Sequence, residues 1–398
     1  MTIYVPFLFL FSANFVKNIW SLDSKIIPMH LFNVMGEYDL EIGFGKEPFI
    51  IFMTIDLQMQ TSWVSPQFYS LNSSTTVKKI SLVGEKIKVE NNYEPVFILE
   101  DIIKIARDSF TGWTSFNKPE KYEITGYTFY YLPNITYTSK QYISFSYKPL
   151  NDNANYSLFH LLYNNKIIEK KQFSFVQEKN SYFTIFLGGI ILKEEEKYSV
   201  KCKIINNSWG CNYSYLYISN NKSKIYKSDQ IKYIYFQATS NKISIPISLY
   251  DFFSEELFPP YFQNDTCKEE ILGNFRSINC KCEGITYLPN IVLVIEGKKF
   301  YLDKDMLFFN PIGLCVFVMK VNKDEEKENS IILGTTFYDK YNTLFDYDNA
   351  EISFFSDKPF EIIEYTINSV LYKNICLFFI CIIGTWVGIL CIIKKFLI

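Results

Sequence analysis

The stretch Phe52-Met-Thr-Ile-Asp56-Leu-Gln-Met-Gln-Thr-Ser-Trp63-Val64 carries one acid, Asp56, from the end of an apolar run into a turn that returns on Trp63-Val64. A carboxylate placed there is a candidate proton donor or acceptor, a role worth ~10² to 10⁴ in rate when the group is positioned against a reacting bond. Other chemistries find less to work with. The chain has 2 histidines, His30 and His160, and His160 lies among apolar residues, as a packed core histidine does. Six cysteines stand in the body at Cys202, Cys211, Cys267, Cys280, Cys282 and Cys315. The pair Cys280-Lys-Cys282 lacks a second close Cys or His pair, so the spacing does not make a zinc site, and neither a metal nor another cofactor is expected. The run Lys323-Asp-Glu-Glu-Lys-Glu328 reads as a solvated loop.

The elements that position such an acid have room to form. A chain of 398 residues holds one large or two ordinary domains with an ample core. Apolar residues at 48% and aromatics at 18% are high for a soluble domain, and a formal charge of −2 gives no basic field, which argues against nucleic acid as a partner. Residues 374–393 run without a charge for long enough to cross a ~30 Å hydrocarbon core, and Lys394-Lys395 follow at once. Basic residues on the short side predict a single-pass type I membrane protein, with a 394–398 cytosolic tail and a lumenal or extracellular body. Residues 1–21, with the apolar run Ile3 to Phe11 followed by Ser12-Ala13, read as a secretory signal. Three further cysteines, Cys376, Cys381 and Cys391, fall in the apolar segment, so the six of the body form an even set suited to three disulfides in an oxidising compartment. Sequons at Asn72, Asn134, Asn155, Asn206, Asn212, Asn221 and Asn264 fit the same route.

Residues 31–65 alternate with the period of strands, punctuated by Gly43, Gly45 and Pro48. Two more strand patterns span Val77 to Ile105. Residues 106–140, with Gly112, Pro119, Gly126 and Pro133, read as loops and edge strands. Ser157 to Tyr163 fits a short amphipathic helix.

Taken together, Tyr38-Asp-Leu-Glu-Ile-Gly43-Phe-Gly45 and the Asp56 loop resemble the first catalytic strand and loop of pepsin-like (A1) aspartic proteases, whose loop reads Asp-Thr-Gly-Ser-Ser/Thr-x-x-Trp-Val. Leu57-Gln58 replace Thr-Gly. Gln141-Tyr-Ile-Ser-Phe-Ser-Tyr147 stands where the family has Asp-Gly-Ile-Leu-Gly-Leu, and Ile234-Tyr-Phe-Gln237-Ala-Thr-Ser240 keeps the frame of the second loop with Gln237 in place of its acid. The end of the body is the most extensive match. Leu288-Pro289-Asn-Ile, Cys315, Ile332-Leu333-Gly334 and Phe345-Asp346 fall at family spacing. The resemblance implies an all-β, bilobal pepsin-like fold with two lobes around a cleft, at 32–190 and 191–355, then a 356–373 linker and one transmembrane helix. It also implies the pairing Cys282–Cys315; Cys267–Cys280 would close a short loop and Cys202–Cys211 a hairpin around Trp209, among fifteen connectivities. The flap tyrosine of the family has no secure counterpart, Tyr93 lying nearest.

Aspartic proteolysis needs two carboxylates sharing one proton. Gln237 does not titrate, although its amide has the reach to hydrogen-bond to Asp56. The sequence therefore implies a membrane-tethered pepsin-like protein without catalysis, binding a peptide or protein partner through its cleft or surface. The alternative is an active aspartic endopeptidase in which Asp56 works with another acid, Asp229 or Asp251.

Overall fold

The computed structural model of the chain describes residues 26–362, apart from 35–36, 47–48, 72–73, 90–91, 107–120, 134–139, 178–182, 194–195, 220–224, 227–230, 232, 273–274, 311–312 and 322–328. The signal segment, the 374–393 segment with its three cysteines, the tail, most of the linker, the 323–328 charge run, Asp229, and the sequons at Asn72, Asn134 and Asn221 lie outside the described residues. Among the described residues no helix is long and apolar enough to cross a membrane.

Among the described residues strands dominate, in three sheets of 13, 8 and 4 strands. The largest begins with six antiparallel strands drawn from distant parts of the chain, in the order Tyr198–Lys203, Glu351–Ser356, Asn342–Asp346, Gln172–Gln177, Phe183–Leu187 and Ile27–Val34. Strand Asn342–Asp346 pairs directly with Gln172–Gln177, so the two halves of the chain share one sheet. Its residues alternate or run apolar as a sheet covered on its faces requires. Phe173 and Phe345 stack at 4.7 Å between ring centroids, and Trp209 meets them at 5.7 and 5.2 Å. All three side chains are fully buried. Burial of this kind is worth roughly 1.5–3 kcal/mol per large apolar side chain, and the three rings belong to one continuous hydrophobic core that runs through both halves.

The same sheet continues through Glu37–Phe44, Phe49–Asp56, Tyr142–Ser144, Trp63–Val64, Lys121–Tyr131 and the long hairpin Asn92–Ala106 with Lys78–Val89. One sequence-based expectation is corrected here. Within 106–140, Lys121–Tyr131 is not an edge strand, because Trp63–Val64 pairs on one side and Asn92–Ala106 on the other. Gly126 does not break it. The glycine takes φ +80° where the register shifts between Asp101 and Ile103, a bulge that a residue with Cβ would strain.

Helix Leu158–Asn164 buries five successive residues, His160 among them, so it is enclosed rather than amphipathic. Nδ1 of His160 lies 2.8 Å from the Ser157 hydroxyl, and burial lowers the ring's pKa to about 4. Helix Ile247–Glu256 follows the second loop. The six body cysteines lie in three pairs, Cys202–Cys211, Cys267–Cys280 and Cys282–Cys315, with Cα atoms 5.8, 4.0 and 5.1 Å apart.

Candidate functional site

Strand Phe49–Asp56 ends on Asp56, and the turn that follows folds back on its carboxylate. Oδ1 accepts the backbone N–H groups of Gln58 and Met59, each at 2.8 Å. Among the described residues Oδ2 takes no hydrogen bond. The Asp56 carbonyl accepts the Phe145 N–H at 2.8 Å, which fixes the strand against its neighbour. Asp56 is half-buried.

The second loop has the same construction, and the pairing registers demonstrate it. Strands Phe49–Asp56 and Tyr142–Ser144 run parallel with Asp56 opposite Ser144, and Trp63, seven residues past Asp56, lies antiparallel to Tyr142. Strands Tyr233–Phe236 and Ser330–Leu333 run parallel with Phe236 opposite Leu333, and Ser244 lies antiparallel to Ile332. Counting seven residues back from Ser244 reaches Gln237, and two forward from Ile332 reaches Gly334. Asp56, Trp63, Tyr142 and Ser144 thus correspond to Gln237, Ser244, Ile332 and Gly334.

This correspondence corrects the register expected over Gln141 to Tyr147 by one residue. Ser144, not Phe145, stands at the position of Gly334. The reason for glycine at 334 is steric: a Cβ there would lie 2.4 Å from the Ser240 carbonyl oxygen and 2.5 Å from that of Lys242. At 144 the first loop accepts a side chain, and the Ser144 hydroxyl donates to the Met59 carbonyl at 2.5 Å. The Ser62 hydroxyl in turn accepts the Ser144 N–H at 2.8 Å.

Gln58 joins the two loops. Its side-chain amide donates to the carbonyl of Phe236 at 2.8 Å and lies 3.5 Å from that of Trp209. The Trp209 indole N–H donates to the Phe145 carbonyl at 2.7 Å, and the Tyr38 N–H donates to the Ala238 carbonyl at 3.0 Å. Tyr38 also directs its hydroxyl to Asp339 at 3.3 Å, where burial has raised the carboxyl pKa to about 6. The site residues come from strands far apart in sequence and are held by backbone carbonyls rather than by ion pairs.

Gln237 does not use its amide on Asp56, as its chemistry would allow. The Nε2 group donates to the Lys242 carbonyl at 3.1 Å, inside its own loop, while its backbone N–H donates to Leu333 at 3.0 Å. Asp251 is ion-paired with Arg276 at 2.8 Å on helix Ile247–Glu256. Asp101, 2% exposed, is fully occupied by the hydroxyls of Tyr69, Ser74 and Thr76 and by the Ile102 N–H. Both carboxylates are engaged by groups other than Asp56. A cavity near Gly188, Gly189 and Asp346 and another near Tyr163 and Ile168 are lined by neither Asp56 nor Gln237. Among the described residues no cluster of His, Cys, Asp and Glu has the arrangement of a metal site.

The bridging role of Gln58 and the exchange of Ser144 for Gly334 went unread in the sequence. Both follow from pairing registers, and only the spacing of Gln58 two residues past Asp56 hinted at the first.

The family model described as eukaryotic aspartyl protease matches residues 135–356. That span holds Ser144, Gln237 and Gly334 and begins after Asp56. No curated relative matches the chain.

Proposed function

The chain belongs to the eukaryotic aspartyl protease family, and from that membership and the make-up of its two loops we propose that it is a pepsin-like protein without peptidase activity that binds a peptide or protein partner. The observation that carries this reading is Gln237. By strand register it is the counterpart of Asp56, and its amide is committed to the Lys242 carbonyl. A shared-proton dyad requires two titratable groups at these positions. One carboxylate and one amide supply a single titratable group, and loss of one member of a coupled catalytic unit commonly removes most of its rate.

The rest of the scaffold favours retention of a binding surface. Gln58 holds the loops together through neutral hydrogen bonds where the family pattern has a glycine, and Ser144 fills a position where the second loop has Gly334. Both changes consolidate the fold while filling space beside Asp56. We place the body outside the cytosol, tethered by residues 374–393 as a type I membrane protein. Support comes from the uncharged length of that segment, the three cysteine pairs, and the exposure of the sequon residues Asn206, Asn212 and Asn264.

The test is to incubate the full-length protein, purified in detergent, with denatured protein substrate at pH 3 to 6, with and without a statine-type transition-state analogue. No inhibitor-sensitive cleavage is expected. Cleavage that the analogue blocks and that Asp56→Ala abolishes would overturn the proposal.

A further inference from the structure

Side chains alternate between the faces of a strand, so Ile50, Phe52, Thr54 and Asp56 share one face of strand Phe49–Asp56. In the neighbouring strand Glu37–Phe44, Asp39 lies opposite Thr54 and Glu41 opposite Phe52. The Thr54 hydroxyl donates to Asp39 Oδ1 at 2.6 Å, which puts Asp39 on the Asp56 face. Glu41, two residues further along, follows it there. Glu37, on the same face, is ion-paired with Lys140. Glu37, Asp39, Glu41 and Asp56 therefore form one acidic row whose neighbouring lysine is already engaged.

Glu41 is the anomaly in that row. It is 6% exposed, yet among the described residues its carboxylate has no hydrogen-bond or ion-pair partner. Its oxygens are not wholly sealed from solvent, but burial disfavours the charged form and no protein group among the described residues offsets it. Its cross-strand neighbour Phe52 is 52% exposed, and Ile50 beside it is 37% exposed. A poorly hydrated carboxylate beside exposed apolar surface suits a long cationic side chain, whose methylene stem packs on the apolar residues while its head meets the carboxylate. The spacing from Asp56 to the Glu41–Phe52 pair is four residues of strand, roughly 13 Å, which one extended peptide spans.

Building on the peptide-binding reading, we propose that Glu41, flanked by Asp39 and Phe52, is a subsite on the Asp56 face that receives a lysine or arginine side chain of an extended peptide from a partner protein. Glu41 supplies the charge-assisted hydrogen bond. Asp39, already bonded to Thr54, adds negative potential, and Phe52 supports the stem.

The experiment uses the full-length protein in detergent and fluorescein-labelled eight-residue peptide pools in which one position at a time is fixed as Lys, Arg, norleucine or Glu. Fluorescence anisotropy measures binding. The Lys and Arg pools are expected to bind most tightly at one position. Glu41→Gln should weaken those pools by about ten- to a hundredfold, the range for a hydrogen bond to a charged group, while leaving the norleucine pools unchanged. Asp39→Asn should weaken them less. Equal binding of Lys and norleucine pools to the wild-type protein, or Lys binding unaltered by Glu41→Gln, would overturn the subsite and leave peptide binding standing. Absence of binding by every pool would overturn both. Thermal melts check folding; if Glu41→Gln does not fold, the wild-type Lys-against-norleucine comparison and Asp39→Asn decide the question.

Discussion

Gly334→Ala tests the construction of the second loop directly. Gly334 has φ −89°, a conformation alanine adopts freely, so the backbone itself does not forbid the change. At a compatible site the substitution would stabilise by ~0.4–1 kcal/mol through the unfolded chain. The new methyl would, however, meet three backbone atoms, the Ser240 oxygen at 2.4 Å, the Lys242 oxygen at 2.5 Å and the Asn241 carbonyl carbon at 2.9 Å. All three belong to the turn that carries Gln237, and no side chain can rotate away to relieve the contact. Overpacking costs roughly 1–3 kcal/mol in a packed interior, so the clash exceeds the entropic gain and a net loss of about 1–2 kcal/mol is expected. Urea unfolding of the full-length protein, followed by tryptophan fluorescence, reads this as a lower midpoint with an unchanged slope. The paired change Ser144→Gly should cost about 1 kcal/mol for a different reason, loss of the hydrogen bond to Met59. A Gly334→Ala protein as stable as wild type would refute the steric reason for glycine at 334.

Three further outcomes follow from the site. Gln58→Ala removes the amide that donates to Phe236 and should cost about 0.5–1.5 kcal/mol in the same assay; a change under about 0.3 kcal/mol would deny Gln58 its bridging role. Burial raises the Glu41 carboxyl from 4.5 to about 7, so between those values the unfolded chain has released its proton while the folded chain keeps it, and stability falls as pH rises through that window. Glu41→Gln should therefore gain about 1–3 kcal/mol relative to wild type on going from pH 4.5 to 8, and an equal difference at both pH values would contradict it. Asp39 and Asp339, also raised by burial, act in the same direction, whereas His160, lowered to about 4, gives stability that is lost as pH falls below its ordinary 6.5 toward 4. Gln237→Asp combined with Gln58→Gly places a second carboxylate at the counterpart of Asp56 and should give inhibitor-sensitive cleavage at pH 3 to 6 where the wild type gives none. A folded double variant no more active than wild type would count against that correspondence.

The sequence by itself determined the predominantly β character, the family and the Asp56 turn, because these reside in local spacing: apolar alternation, Gly and Pro punctuation, and fixed intervals such as Asp56 to Trp63. The cysteine partners were also within reach, each pair being short-range or carried by the resemblance. Tertiary structure decided what depends on register between strands distant in sequence. It made Lys121–Tyr131 an interior strand, since a bulge at Gly126 absorbs what looks locally like a break. It made Ser144 the counterpart of Gly334, where the family pattern laid along the sequence puts a glycine at 145, since a one-residue shift leaves the apolar pattern plausible but changes which side chain meets the loop. It turned the Gln237 amide toward Lys242, gave Gln58 its partner 178 residues away, and aligned Glu41 and Asp39 with Asp56. A sequence specifies which residues are acids, amides and glycines; only the pairing of strands specifies which of them face one another.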